Sequence, residues 1–433
     1  MNSLRETDPE IFQAILNEVN RVGHGVELIP SENFVSRAVM QAMSSVFTNK
    51  YSEGYPGHRY YGGQDNVDAV ELLAINRAKE LFGVEHVNVQ PYSGSPANHA
   101  VFMALLELGD KFMGMDLSCG GHLTHGSSVN FSGMHYRLVP YFVDPETERL
   151  DMDVVRKIAE RERPKMIISS LTAYPRMLPF DEFCEIAKDV DAYSLADISH
   201  IAGLIVGGVH PSPCEHTDVT TTTTHKSLRG PRGAIIMSRV EDQYHDLYHS
   251  GSKKNLAQLI DSAVFPGLQG GPHSHLIAAK AVAFKEALQP EFKVYAGQIV
   301  RNARAMAEEL MSLGVKLVTD GTDNHLMLID LRPHGLRGKG KQLQAALDEA
   351  GITVNKNSVP FDDASPFNPS GLRLGTPAVT SRGMGVSEMQ HIAQCIAVVL
   401  RDYRDVSVLR RVKADIDELV SGFPIYPGLT VLE

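Results

Sequence analysis

The chain has 433 residues, enough for a large core and two domains, and its 43% hydrophobic and 21% charged residues are ordinary for a soluble globular protein. Its formal net charge of −11 argues against a nucleic-acid scaffold, although a local basic pocket is compatible with it. The four cysteines are scattered without a CxxC pair, so no metal site or disulfide framework is indicated. With no signal-peptide pattern and no apolar run of transmembrane length, we expect a cytoplasmic protein.

Residues 1–66 are predicted to form an N-terminal arm. Asp8 and Pro9 are typical of a helix N-cap and first helical position, and a second helical stretch follows and reaches about Phe47. Residues 51–63 contain four tyrosines and four glycines without helix or strand periodicity. These side chains favour a functional loop, and an ordinary surface loop is the alternative.

Residues 67–275 are predicted to form a large α/β domain. A helix over 67–82 and a strand over 87–89 lead into Ser93-Gly94-Ser95, with Ser95 as the N-cap of a helix starting at Pro96. A strand, a small-residue turn and a helix N-terminus together favour an anion site, because free N–H groups and the helix dipole converge there. A capped helix without a ligand is the alternative.

The following segments continue the alternation of strands and helices. Strands are predicted at 165–169 and 192–196, with a helix at 180–188 between them, so the sheet should be mostly parallel and doubly wound. The loop before them carries His122 and His125, with no acidic or cysteine cluster nearby in sequence. A histidine stacked on a planar ligand is therefore a better interpretation than a metal site.

A β-branched run over residues 219–224 predicts a strand that ends in His225-Lys226, and residues 234–237 predict the next strand. A desolvated lysine at such a strand end can act as an amine nucleophile, whereas a surface lysine is the alternative. Asp197 ends another predicted strand 29 residues earlier. This pair suits pyridoxal phosphate (PLP), since lysine forms a Schiff base and the carboxylate keeps the pyridine nitrogen protonated.

Residues 276–433 are predicted to form a smaller α+β domain, entered through a helix over 275–288. Helices are expected near 292–313, 341–350 and 387–403, and strands at 316–318, 326–331 and around 371–377. Arg373 lies in the last of these strands and can pair bidentately with a substrate carboxylate.

The sequence resembles the serine hydroxymethyltransferases over about residues 28–377, and the Thr-Thr-Thr-Thr-His-Lys block that ends at Lys226 is the most specific match. The resemblance implies an α/β fold of the PLP-dependent transferase type (aspartate aminotransferase-like, fold type I), with a mostly parallel central sheet. It also implies a homodimer with shared active sites, because Tyr51, Gly270 and Gly271 match residues that reach the phosphate from the second subunit.

Functional residues are implied position by position. Lys226 matches the lysine that holds PLP as a covalent aldimine, and Asp197 matches the partner of the pyridine nitrogen. The implied catalytic residues are Glu53, Asp197, Thr223, His225 and Lys226. The implied cofactor-binding residues are Tyr51, Ser93, Gly94, Ser95, His122, Thr172, Asp197, His200, His225, Lys226, Gly270 and Gly271. The implied residues for serine and tetrahydrofolate are Ser31, Glu53, Tyr61, Leu117, Gly121, Leu123, Arg232, Asn357 and Arg373.

The implied reaction is the reversible transfer of the serine hydroxymethyl carbon to tetrahydrofolate, giving glycine and 5,10-methylenetetrahydrofolate. One alternative keeps PLP without folate, as in a threonine-type aldolase, and another acts on α-methylserine. The residues that match the folate pocket argue against a pure aldolase. A third alternative, a cofactor-free interaction subunit, conflicts with the joint presence of Glu53, Asp197, Lys226 and Arg373.

Overall fold

The computed structural model describes residues 3–426. The helices are α1 (Leu4–Thr7), α2 (Pro9–Gly23), α3 (Arg37–Met43), α4 (Asp65–Phe82), α5 (Gly94–Leu105), α6 (Phe131–His135), α7 (Met152–Glu162), α8 (Phe180–Asp189), α9 (Ala202–Val206), α10 (His245–Tyr248), α11 (Leu256–Ser262), α12 (Ser274–Ala287), α13 (Pro290–Ser312), α14 (Gly340–Glu349), α15 (Pro377–Ser381), α16 (Val386–Asp402) and α17 (Val406–Ser421). The strands are β1 (Val26–Glu27), β2 (Gly54–Tyr55), β3 (His58–Arg59), β4 (His86–Asn88), β5 (Lys111–Met115), β6 (Arg137–Tyr141), β7 (Met166–Ser170), β8 (Tyr193–Asp197), β9 (Val219–Thr223), β10 (Ala234–Ser238), β11 (Leu326–Asp330), β12 (Ile352–Thr353), β13 (Asn355–Asn357) and β14 (Gly371–Gly375).

The chain divides into two compact units, one formed by residues 35–297 and the other by the described parts of 1–34 and 298–433. These limits differ from the predicted boundaries at 66/67 and 275/276. Residues 1–34 group with the C-terminal part because β1 pairs with β12. The second boundary, at residue 297, falls within helix α13. The functional roles of the arm and the two domains stay predictions, and residues 1–2 and 427–433 lie outside the described residues.

The unit of residues 35–297 is built on a seven-stranded sheet in the order β4-β10-β9-β8-β7-β5-β6. Strands β5 to β9 pair in parallel, and β10 runs antiparallel to both of its neighbours. Strands β7 to β10 are buried along their whole length, as expected for a sheet covered on both faces. This confirms the predicted α/β class with a mostly parallel sheet.

The register brings the ends of neighbouring parallel strands together. Asp197, the last residue of β8, pairs with Ser170 of β7 and with Thr221 of β9. Since parallel strands place their carboxyl ends at one edge of a sheet, Asp197 and the residues after Thr223 share that edge.

The other unit contains a three-stranded antiparallel sheet in the order β11-β14-β13. Its core joins apolar residues of β11 and β14 with those of α13, α14, α16 and α17. The strand predicted at 316–318 is wrong: Leu317 makes only one bridge, to Ile329, and a 3₁₀ turn over Val318–Asp320 follows. Thr319 in this turn has a φ of 63°, which is incompatible with a continuing strand.

Two further predictions need correction in the unit of residues 35–297. Helix α5 begins at Gly94 with Ser93 as its N-cap, not at Pro96 with Ser95 as the N-cap. Proline is tolerated there because the N–H groups of the first turn have no partner within the helix. Residues 51–63 are not entirely irregular, since β2 and β3 form a short antiparallel hairpin.

Within residues 3–426, no helix combines the length and apolar character that crossing a membrane requires.

Candidate active site

A cavity of about 180 Å³ lies at the carboxyl edge of the seven-stranded sheet. Lys226 lines it from the turn that follows β9, and only 8% of this residue is exposed. The turn folds back on itself, because the Thr224 N–H donates to Gly233 O at 3.0 Å and the Arg229 N–H donates to Lys226 O at 3.0 Å. The predicted site residues that line this cavity are Ser93, Gly94, Ser95, His122, Thr172, Asp197, Thr223, His225 and Lys226.

Asp197 is a buried carboxylate surrounded by hydrogen-bond donors. Its Oδ2 accepts from Asn98 Nδ2 at 2.9 Å and from His125 Nε2 at 3.2 Å, and its Oδ1 accepts from Ser199 N and Oγ at 3.1 and 2.6 Å. Burial by itself raises the pKa of Asp197, but the contacts with His125 and Ser199 together hold the pKa well below its ordinary value. The group is therefore anionic at neutral pH.

A hydrogen-bond network links Asp197 to His122. The His122 N–H donates to His125 Nδ1 at 3.3 Å, so His125 carries its proton on Nε2 and donates it to Asp197. His122 Nδ1 accepts from the Thr124 N–H at 3.2 Å and lies 2.8 Å from Thr124 Oγ1, which accepts from Asn98 Nδ2 at 2.8 Å. Asn98 thus contacts both Thr124 and Asp197 and fixes the His122 loop relative to the carboxylate.

The N-terminus of α5 forms one wall of the cavity. Within the described residues, the side chain of its N-cap, Ser93, makes no capping hydrogen bond, so the first-turn N–H groups are not satisfied by it. Gly94 approaches β9 closely, since a Cβ there would lie 2.8 Å from Thr223 Cγ2. This wall therefore has the features that bind a phosphate group.

His225 supplies a buried polar atom to the cavity wall. Its Nδ1 has no hydrogen-bond partner in the part of the chain that the structure describes. Burial and the positive charges of Lys226 and Arg232 lower the pKa of His225 to about 3, so the imidazole is neutral at physiological pH.

These features fit PLP on the chemistry of the residues present. An anionic Asp197 suits a protonated pyridine nitrogen, a buried Lys226 suits a Schiff base, and the α5 N-terminus suits a phosphate. His200 is buried, and its carbonyl accepts from Ser227 Oγ at 2.8 Å. It is not among the residues that line the cavity.

A second group of predicted residues forms a separate cluster in the same unit. Tyr51 Oη donates to Glu53 Oε1 at 3.3 Å, and the Tyr51 and Tyr61 rings meet edge to face at 5.1 Å. Gly270 and Gly271 complete the cluster, because Cβ atoms there would lie 3.3 Å from Glu53 Oε1 and 3.2 Å from the Tyr51 ring. Among the described residues, no member of this cluster lines the Lys226 cavity of the same chain.

The residues predicted to bind folate lie on both sides of His122 and in the other unit. Leu117 and Leu123 are each 47% exposed and stand in the turns before and after Gly121. A Cβ at Gly121 would lie 2.1 Å from Met115 O, so only glycine fits there. Arg232, which is predicted to bind the amino-acid substrate, is exposed in the loop after Lys226.

Three predicted substrate residues belong to the unit that contains β14. Arg373 is 8% exposed on β14, and its Nε donates to Asn355 Oδ1 at 3.1 Å. Burial lowers the pKa of Arg373 to about 10, so it is cationic at neutral pH. Asn357 lies on β13 next to β14, and Ser31 follows a segment that is joined to β14 by the Gly375 N–H, which donates to Leu28 O at 2.8 Å.

Sequence reasoning missed Asn98, His125 and Ser199 as site residues, although all three contact Asp197. The available signals were local. Asn98 lies one helical turn after Ser95, His125 lies three residues after His122, and Ser199 lies two residues after Asp197.

One comparison with known proteins bears on this site. The family model described as serine hydroxymethyltransferase matches residues 4–396, which is most of the chain. The match includes every residue of the cavity and of the Tyr51 cluster, as well as Arg373. Together with the fold and the cavity, it shows that the chain belongs to the serine hydroxymethyltransferase family of fold type I, PLP-dependent transferases of one-carbon metabolism.

Proposed function

We propose that this protein transfers the hydroxymethyl carbon of serine to tetrahydrofolate, reversibly, and forms glycine and 5,10-methylenetetrahydrofolate. The observation that carries the proposal is the joint placement of Lys226, anionic Asp197 and the uncapped α5 N-terminus in one cavity. The family supports PLP-dependent hydroxymethyl transfer with serine, glycine and folate, whereas the exact substrates of this chain are part of the proposal.

Separate parts of the cavity have separate tasks in this proposal. Lys226 holds the cofactor covalently, the first turn of α5 binds its phosphate, and Asp197 keeps the proton on its ring nitrogen. PLP, when bound, supplies the electron sink for cleavage between Cα and Cβ of serine. The Asn98–Thr124 network orients His122 toward the same space.

Substrate binding falls to residues outside this wall. Arg373 pairs with the α-carboxylate, since a guanidinium matches a carboxylate in a bidentate geometry. Glu53 moves a proton at the serine hydroxyl, and Ser31, Tyr61 and Arg232 contact the amino acid. Tetrahydrofolate contacts the exposed apolar side chains of Leu117 and Leu123 beside Gly121. Asn357 of the other unit is a further folate-binding residue in this proposal.

The active protein is proposed to be a homodimer with shared sites. Support comes from the exposure of the Tyr51 cluster: Tyr51 is 55% exposed and Tyr61 is 46% exposed. Leu72 and Leu73 on α4 add exposed apolar surface in the same unit. A cytoplasmic location agrees with four free cysteines.

The test is a serine-to-glycine assay on the purified protein with and without tetrahydrofolate. We expect strict dependence on tetrahydrofolate, and no multiple turnover in Lys226→Ala. A rate of serine cleavage that does not depend on tetrahydrofolate would favour the aldolase. Turnover of α-methylserine in place of serine would favour the related transferase. A normal PLP absorption band in Lys226→Ala, with the cofactor reducible onto another lysine, would contradict the assignment of Lys226.

A further inference from the structure

Two buried side chains hold the backbone that leads into the Ser93 turn. Residues 89–92 follow β4, the edge strand of the sheet. Lys280 of α12 lies on one side of this segment and donates through Nζ to Val89 O at 2.7 Å and to Pro91 O at 3.1 Å. On the other side, Gln269 Nε2 donates to Gln90 O at 3.0 Å. Lys280 therefore binds alternate carbonyls, and Gln269 binds the carbonyl between them.

Lys280 also contacts the strand that returns from the Lys226 turn. Its Nζ donates to Ala234 O at 2.9 Å, and the Ala234 N–H donates to Pro91 O at 3.2 Å. Three carbonyls match the three N–H groups of an ammonium. Gly233 leaves the space for this contact, since a Cβ there would lie 2.4 Å from Lys280 Cε.

Such a lysine is costly to bury without a function. Only 2% of Lys280 is exposed, and burial lowers its pKa to about 7, against a smaller opposing effect of the Glu71 charge. Glu71 is itself paired with Arg59, and the atoms that accept hydrogen bonds from Lys280 among the described residues are backbone carbonyls. Lys280 does not line the Lys226 cavity.

We propose that Lys280 is a positioning residue for the cofactor phosphate, because it joins the segment that leads into the Ser93-Gly94-Ser95 turn to Ala234, the first residue of β10. We call Lys280 and Gln269 together the clamp, and Gln269 connects it to a second segment. Its Oε1 accepts from the Tyr92 N–H at 3.1 Å, and Tyr92 Oη donates to Gly271 O at 2.9 Å. The clamp thereby also holds the glycine loop proposed to reach the phosphate in the partner subunit. This inference rests on the proposed binding of PLP.

The experiment compares Lys280→Met with Lys285→Met, which changes an exposed lysine on the same helix. The cofactor-free proteins are titrated with PLP and, separately, with pyridoxal, which lacks the phosphate. In Lys280→Met we expect PLP to bind about tenfold more weakly or worse, as for loss of a charge-assisted hydrogen bond, while pyridoxal affinity stays within about twofold. Lys285→Met should match the native protein in both titrations.

Native PLP affinity in Lys280→Met would overturn the inference, and so would equal losses for PLP and pyridoxal, which would indicate a general structural role. If Lys280→Met does not fold, Gly233→Ala decides the question, because it displaces the lysine without removing its charge. The same phosphate-selective loss is expected there, and unchanged PLP affinity would refute the role. Failure of the native protein to bind PLP would instead contradict the proposed function.

Discussion

At the scale of single residues, the site depends on groups held in one charge state by their surroundings. Asp197 is kept anionic by four donated hydrogen bonds, although burial alone favours its neutral form. His225 is kept neutral by burial and neighbouring positive charge. One cavity therefore presents a fixed anion beside a neutral imidazole, an arrangement suited to binding a cationic ring at neutral pH.

We expect Asp197→Asn to fold and to lower turnover by at least about 100-fold, because the fixed negative charge is lost. An amide NH₂ must also face either the Asn98 and His125 donors or the Ser199 donors, which costs about 1–3 kcal/mol of stability. Steady-state assays and urea unfolding measure both effects, with Asp246→Asn, on the exposed surface, as the control. Native activity in Asp197→Asn would show that another group holds the ring proton.

The depressed pKa of His225 predicts a pH dependence of stability. The folded pKa is about 3 and that of an unfolded histidine is about 6.5, so the unfolded state binds more protons between these values. Stability contributed by this group is present above about pH 6.5 and is lost as the pH falls toward 3, with a slope approaching about 1.4 kcal/mol per pH unit. In urea unfolding of the cofactor-free protein, His225→Asn should flatten this decline. Parallel curves for the two proteins would contradict the assignment.

At the scale of elements, chemistry is concentrated where regular structure ends. The N-terminus of α5, the end of β8 and the turn after β9 meet at one edge of the sheet. Parallel pairing aligns strand ends, and a helix N-terminus adds N–H donors at the same edge. In the other unit, β14 carries Arg373 between β11 and β13.

The contact between α5 and β9 allows a steric test of the phosphate wall. Gly94→Ala should weaken PLP binding about tenfold, because the added Cβ would lie 2.8 Å from Thr223 Cγ2. Thr223→Ser removes that methyl group and keeps the hydroxyl, so the double variant should recover most of the lost affinity. Fluorescence titration with PLP measures all three proteins, and additive effects would show that this contact does not limit binding.

Strand β14 provides a test of substrate recognition. Arg373→Ala should abolish saturable serine binding while PLP remains bound, and Arg373→Lys should restore little, because a point charge cannot form two parallel hydrogen bonds with a carboxylate. The change of the PLP absorption spectrum on adding serine measures this binding. Unchanged serine affinity in Arg373→Ala would refute the role of Arg373.

At the scale of the whole molecule, the residues predicted to be functional form distinct groups within one chain. Among the described residues, the Lys226 cavity lacks Glu53 and Tyr51, which lie together with Gly270 and Gly271 in the exposed cluster. A two-fold dimer would produce two equivalent composite sites from these groups.

Complementation tests the shared sites. Glu53→Gln and Lys226→Ala chains should each be inactive, and mixing them under subunit exchange should restore up to about half of the native activity per mixed dimer, because one site then carries neither change. Differential tags and mass spectrometry establish that mixed dimers have formed. Mixed dimers that form and stay inactive would show that each site is complete within one chain.

Much of the architecture could be predicted from the sequence alone, because its signals are local. The predicted strand over residues 219–224 is β9 to within one residue, and the helix over 67–82 is α4 with a start two residues earlier. Both are strong patterns of β-branched or periodic apolar residues. The Thr-Thr-Thr-Thr-His-Lys block that ends at Lys226 likewise predicted the family.

Contacts between distant segments were decided only by the tertiary structure. Asn98 contacts Asp197 at a sequence separation of 99 residues, and Lys280 contacts Val89 at a separation of 191 residues. No local sequence pattern predicts either contact. The close approach of Gly94, at the start of α5, to Thr223 is another such contact. Backbone periodicity determines which segments are strands and helices, whereas buried polar groups find their partners only once packing has excluded water, and those partners set the charges on which the chemistry depends.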